Sequence, residues 1–165
     1  KKVIHIITPY DDDIIILNKQ LNNTYIYFGN KGILQYEKQA IQDKNATNFS
    51  SSVSIGRAIS KSNRFYKNSS WDLIDKSQEE EIDYSEIKRR NLPKKLQNMS
   101  DEALKKYVNM LGKERAVIKN KMNEFDKKRR AYITSKRQES AKDNELESVI
   151  LKAIKKQAIK KKYKW

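Results

Sequence analysis

The stretch from Ser100 to Tyr132 constrains this chain more than any other. Apolar residues recur there in alternating steps of four and three, at Leu104, Val108, Leu111, Ile118, Met122, Phe125 and Tyr132, the spacing of a coiled-coil-like helical seam. The same count lands on Arg115 and Arg129, so two guanidinium groups sit two heptads apart in an otherwise apolar line. A helix of some 35 residues at about 1.5 Å each reaches roughly 50 Å. Its apolar edge must be covered by other helices of this polypeptide or by a neighbour. Ser100 is placed to cap it, and Asp101 and Glu102 favour the positive end of its dipole. Gly112 is expected to mark a close crossing or a bend.

Around that helix little core is available. The chain has 165 residues, 37% hydrophobic and 35% charged, which predicts a single elongated, helix-rich body. The net charge of +15 is uneven: residues 1–86 carry 11 basic and 12 acidic side chains, residues 87–165 carry 25 and 9. An excess of this kind suits nucleic acid, an anionic membrane surface or an acidic partner, and equally a lysine-rich solvated face. Absence of cysteine excludes disulfides and thiolate-bound zinc. No apolar run approaches the roughly 20 residues that span a bilayer. The opening Lys1-Lys2-Val3 has neither an initiator Met nor a signal-peptide pattern, so the chain is expected to be a piece of something longer.

Taken in order, Val3 to Ile7 reads as a short buried strand ending at Thr8-Pro9. Thr8 with Asp11 forms a capping-box-like pair for a helix lined by Ile14, Leu17 and Leu21. Asp11, Asp12 and Asp13 suit that helix end without any metal, and the lone His5 has no catalytic neighbours in the sequence. Thr24 to Phe28 is a second extended segment, closed by Gly29 and Gly32. A helix follows over Ile33 to Asn45, then a serine-rich linker at Asn48 to Ser54. Another helix begins near Ser51-Ser52 and runs to Asn63. Ser70 just ahead of Trp71, Leu73 and Ile74, with Asp72 favouring a helix start, predicts a short helix from the tryptophan segment to the acidic run Glu79 to Glu81, with Trp71 as a core anchor. Asp83 with Glu86 suggests a capping box, and Pro93 starts a further short helix.

Beyond the seam, Thr134 to Lys142 is polar and is expected to turn the chain. A final helix lined by Leu146, Val149, Ile150, Ala153, Ile154 and Ala158 would then fold back on the long one as an antiparallel hairpin. In that register Glu145 or Glu147 lies near Arg129. Arg115 is expected to meet Glu79 to Glu81 or a carboxylate of another chain.

Thr8-Pro9-Tyr10-Asp11, Leu17-Asn18, Leu21-Asn22 and Thr24-Tyr25-Ile26 resemble the end of a von Willebrand factor A-type (VWA) domain in a group of bacterial proteins. Trp71-Asp72-Leu73-Ile74-Asp75, Leu92-Pro93, Met99-Ser100, Glu114-Arg115-Ala116, Lys128 to Ile133 and Ala153 to Ala158 are similar to the helical extension that follows that domain. The resemblance implies a mainly α chain keeping one or two strands of the parent α/β domain. It divides into a terminal strand and helix at 1–30, a linker with short helices at 31–99, and a helical hairpin at 100–165. It also implies an exported, extracytoplasmic setting. The group's metal-binding Asp-x-Ser-x-Ser string does not occur here, and Ser50 to Ser54 lacks the aspartate. Mg2+ would therefore belong only to an N-terminal portion outside this chain.

The expected function is a non-enzymatic, protein-binding scaffold that braces the last helix of the VWA-type domain and presents a basic helical hairpin. Its partners would be the remainder of that domain, another protein, or a second copy through the long helix. Arg115, Arg129, Lys127, Lys128, Arg130, Lys155 and Lys156 are the candidate interaction residues. A polyanion-binding module for nucleic acid or anionic lipid is the second reading, adding Lys136, Arg137 and Lys160 to Lys162. No cofactor is expected in this chain, and no nucleophile with its base is legible for an enzyme.

Overall fold

The computed structural model describes residues 5–160, leaving aside the side chains of 143–145, 147 and 158–160. Those residues form a mainly α protein with five α-helices: α1 (Asp11–Asn23), α2 (Gly32–Phe49), α3 (Ser51–Ser62), α4 (Leu73–Glu79) and α5 (Asp101–Lys160). Two 3-10 turns, Arg89–Asn91 and Lys94–Leu96, lead into α5. The second follows Pro93, whose fixed φ suits the entry to a helical turn.

Local caps determine where each helix begins. The Ser50 hydroxyl accepts the Val53 N–H at 3.2 Å, so α3 starts one residue after α2 ends, and the expected serine-rich linker shrinks to Ser50 alone. Asp72 accepts the Asp75 N–H at 3.0 Å to start α4, and Ser100 accepts the Ala103 N–H at 3.2 Å to start α5. At α1 the Asp11 carboxylate reaches back to the Thr8 N–H at 3.1 Å and accepts the Thr8 hydroxyl at 2.6 Å. Only half of a capping box forms, because the threonine hydroxyl donates to the aspartate rather than accepting a helical N–H. Asp83 accepts the Ser85 N–H and hydroxyl in a tight turn instead of opening a helix.

The seam of α5 is the spine of the core. Leu104, Val108, Leu111, Ile118 and Met122 are buried along it, with Phe125 half-buried. Ile14, Leu17 and Leu21 of α1, Ile55 and Ala58 of α3, Tyr25 and Trp71 cover its middle part. Ile26, Leu73, Ile74, Tyr84, Leu92 and Leu96 cover its beginning. Each fully buried aliphatic side chain contributes about 2 kcal/mol of apolar transfer free energy. The apolar face of α1 is therefore covered by the helical body itself. Ile7, just ahead of α1, is exposed.

Three expectations are corrected. Among the described residues there is no strand: His5 to Thr8 is irregular, and Val3 and Ile4 of the first candidate lie outside the described residues. Thr24 to Phe28 is extended, but it makes only an isolated antiparallel bridge, Tyr27 with Asp72. Phe28 N–H donates to the Trp71 carbonyl at 2.9 Å and Leu73 N–H to the Ile26 carbonyl at 2.8 Å; α4 begins at once on the partner side and ends the pairing. The third correction is the hairpin, since α5 continues unbroken through Thr134 to Lys142. That segment is polar, but it holds no proline or glycine. Its Lys136–Glu139 pair at 2.7 Å and the Ser135 hydroxyl donating to Glu139 at 3.3 Å support the helix instead. Polarity alone is not a turn signal.

Candidate functional site

The seam arginine Arg115 organises the most densely bonded group among the described residues. Its side chain is 2% exposed, so each of its N–H groups needs a protein acceptor. Nη1 donates to Asp72 Oδ2 and to Asp75 Oδ1, the latter at 2.7 Å. Nη2 donates to the Thr24 carbonyl at 2.9 Å and to Asp72 Oδ1 at 3.3 Å, and Nε to the Thr24 hydroxyl at 2.9 Å. The guanidinium carbon also lies 4.4 Å from the centre of the Tyr25 ring, which in turn stacks on Trp71.

The acceptors are themselves tied down. Asp72 Oδ1 takes the Ile26 N–H at 2.9 Å and Asp75 Oδ2 takes the Asn68 N–H at 2.8 Å, while the Thr24 hydroxyl donates onward to the Leu21 carbonyl at 2.7 Å. One arginine thus joins the end of α1, the extended segment, the start of α4 and the first third of α5. Burial pushes the Asp72 carboxyl above its ordinary value despite the facing Arg115. Burial opposes the charge of Arg115 as well, but Asp72 and Asp75 outweigh it and hold the guanidinium above its usual pKa. Burial likewise raises the Tyr25 hydroxyl far out of its ordinary range.

Arg115 therefore meets neither Glu79 to Glu81 nor another chain, but Asp72 and Asp75, about two turns and one turn before that acidic run. In the sequence Asp72 reads as favouring a helix start. It caps α4 here, and the cap and the ion pair share a carboxylate.

Two further charges, Arg129 partly buried and Lys61 fully buried, brace α1. Arg129 Nε donates to Asp11 Oδ1 at 2.9 Å, in place of the expected Glu145 or Glu147, which continuous α5 carries some four turns away. Burial opposes ionisation of Asp11, yet the Thr8 hydrogen bonds and Arg129 hold its carboxyl below the usual range. Lys61 donates to Asp43 Oδ2 at 2.8 Å and to the side-chain Oδ1 of Asn22. Asp43 also receives Arg57 at 2.5 Å and the Asn22 amide at 2.7 Å. No periodicity in α2 or α3 singles out Asp43 and Lys61, whose pairing arises only when the helices cross.

The remaining candidate residues are spread over the outside of α5. Lys127, Lys128, Arg130, Lys155 and Lys156 are exposed, as are Lys136 and Arg137. Arg130 pairs with Asp126 of its own helix at 2.6 Å, and the Lys128 ammonium lies 5.6 Å from the centre of the Phe125 ring. Arg115 and Arg129 face inward, so they are structural members and not part of that surface. Lys160 lies where no side chain is described, and Lys161 and Lys162 lie outside the described residues. From Thr134 onward every described side chain of α5 is exposed. This includes Leu146 at 60%, Val149 at 62%, Ile150 at 48%, Leu151 at 51% and Ile154 at 48%.

No group of three or more potential metal ligands occurs among the described residues. His5 sits 3.9 Å from Asp11, whose carboxylate is already engaged by Thr8 and Arg129. A cleft of about 450 Å3 runs between Phe28, Ile82, Ile87 and the carboxylates Glu80, Glu81 and Glu86. Its lining holds no hydroxyl, thiol or imidazole nucleophile. No helix among the described residues is long and apolar enough to cross a membrane.

The fold and this geometry define a mainly helical protein whose spine is locked by a buried Arg–Asp–Asp group and then overhangs its own body. Compared with known proteins, the chain matches no family model, no curated protein and no solved structure.

Proposed function

We propose that this chain is a non-enzymatic scaffold: the helical extension of a bacterial, exported VWA-type protein, which braces that domain's last helix and offers a basic helix to a partner. One observation carries this reading. The helix that resembles the end of the VWA-type domain, α1, is built into the helical core through Ile14, Leu17 and Leu21 and is pinned by the Asp11–Arg129 pair at 2.9 Å. A movement of α1 would therefore have to carry α3 and α5 with it. An extension coupled in this way restrains or reports what the upstream domain does, and any Mg2+ would sit in that upstream part.

The test is made in the intact parent. Charge reversal of Asp11 together with Leu17→Ala is expected to change the parent's ligand affinity by loosening α1 from α5. An unchanged affinity, with the helical body still folded by circular dichroism, would overturn the bracing role. The second reading, a polyanion-binding module, is favoured by the exposed cations on the outside of α5, and duplex DNA or heparin retention that collapses with rising salt is its signature.

A further inference from the structure

We propose that the overhanging part of α5 binds an anionic lipid surface, lying along it as an amphipathic helix. At 100° per residue, Leu146, Val149, Ile150, Ala153 and Ile154 fall within an arc of about 140°. Lys156 borders one edge of that arc, Lys152 lies about 60° beyond the same edge and Lys155 lies opposite it. All of these side chains are exposed, so an apolar stripe of about two and a half turns stands in water with cations along one side. Residues 148–165 hold seven lysines and no carboxylate.

The charge and the stripe together choose the occupant. A polynucleotide would engage the lysines but leave the apolar arc in water. A second copy in parallel would set the lysine-rich ends side by side. Moreover, the four-three seam that ends at Tyr132 continues onto Lys136, Glu139 and Asp143 before it reaches Leu146, which breaks the sustained heptads a coiled coil needs. An anionic bilayer interface takes both features at once: the aliphatic side chains enter the acyl boundary while flanking lysines reach the headgroups. This inference stands apart from the scaffold reading, because it needs no upstream domain.

The experiment is co-sedimentation of the full chain with vesicles of phosphatidylcholine alone or with roughly a quarter phosphatidylglycerol, at low and at raised salt. Binding is expected only to the anionic vesicles, weakening at least about tenfold as salt screens the lysines. Ile150→Asp with Ile154→Asp should abolish it, and Lys152→Gln with Lys155→Gln and Lys156→Gln should weaken it roughly tenfold or more. These positions are exposed, so the unfolding midpoint of each variant should match the parent's. Failure to bind anionic vesicles at low salt overturns the proposal. So does binding that survives the paired Asp substitutions, which would mark a purely electrostatic polyanion surface. Concentration-dependent dimerisation lost in the same paired variant, without vesicle binding, would assign the stripe to a second copy and overturn it as well.

Discussion

Replacing Arg115 with methionine tests the architecture most directly. The substitution keeps an unbranched side chain matching the arginine's aliphatic stem but removes the guanidinium and its five N–H donations. It strands Asp72 and Asp75, which are 0% and 3% exposed. Truncating one side of a buried pair costs about 3–5 kcal/mol, mostly because the remaining charge stays buried without compensation. For a chain of this size that lowers the thermal midpoint by roughly 10 °C. Urea unfolding followed by Trp71 fluorescence is a suitable assay, since Trp71 stacks on Tyr25 directly beneath the guanidinium; Trp165→Phe removes the second emitter. Adding Asp72→Asn and Asp75→Asn to the methionine variant should recover part of the loss, because the stranded charges go. In the parent background the same two changes should destabilise. A methionine variant that loses less than about 1 kcal/mol, or three effects that simply add, would refute the view of these groups as one coupled unit.

Other consequences follow from single contacts. Gly112→Ala should stabilise the protein by up to about 1 kcal/mol in chemical denaturation, since a Cβ there meets Ile74 and Gln78 only at 3.7 Å. Removing residues 134–165 should leave the unfolding free energy within about 0.5 kcal/mol of the parent's, because every described side chain there is exposed. Asp11 and Asp43 have carboxyls held below their ordinary values in the folded protein. Their contribution is therefore complete above the unfolded-state value near 4 and is lost as pH falls through the lower folded-state values. Denaturation midpoints should accordingly drop below about pH 4, and Asp43→Asn should flatten that drop. Arg129→Ala should cost about 1–2 kcal/mol, less than Arg115→Met, because its pair with Asp11 is only partly buried.

The local signals in this chain act within a few residues, and they were legible. The four-three recurrence from Leu104 to Tyr132 marked the buried edge of α5 and the two arginines within it. Ser100 and Asp72 marked helix starts, and Trp71 marked a core position. Each of these follows from backbone geometry and short-range hydrogen bonding, which a linear string carries in full. What the string could not carry was the choice among partners. Asp72 and Asp75 reach Arg115 from 43 and 40 positions away, and Asp11 reaches Arg129 from 118. Equally plausible carboxylates stood at Glu79 to Glu81 and Glu145. Whether Thr134 to Lys142 turned or continued was likewise undecided locally, because a polar run of good helix formers permits both. Only the assembled helices decided it: the elements packed on α5 cover it no further than Ile133, and α5, with no breaker in its path, runs on past them.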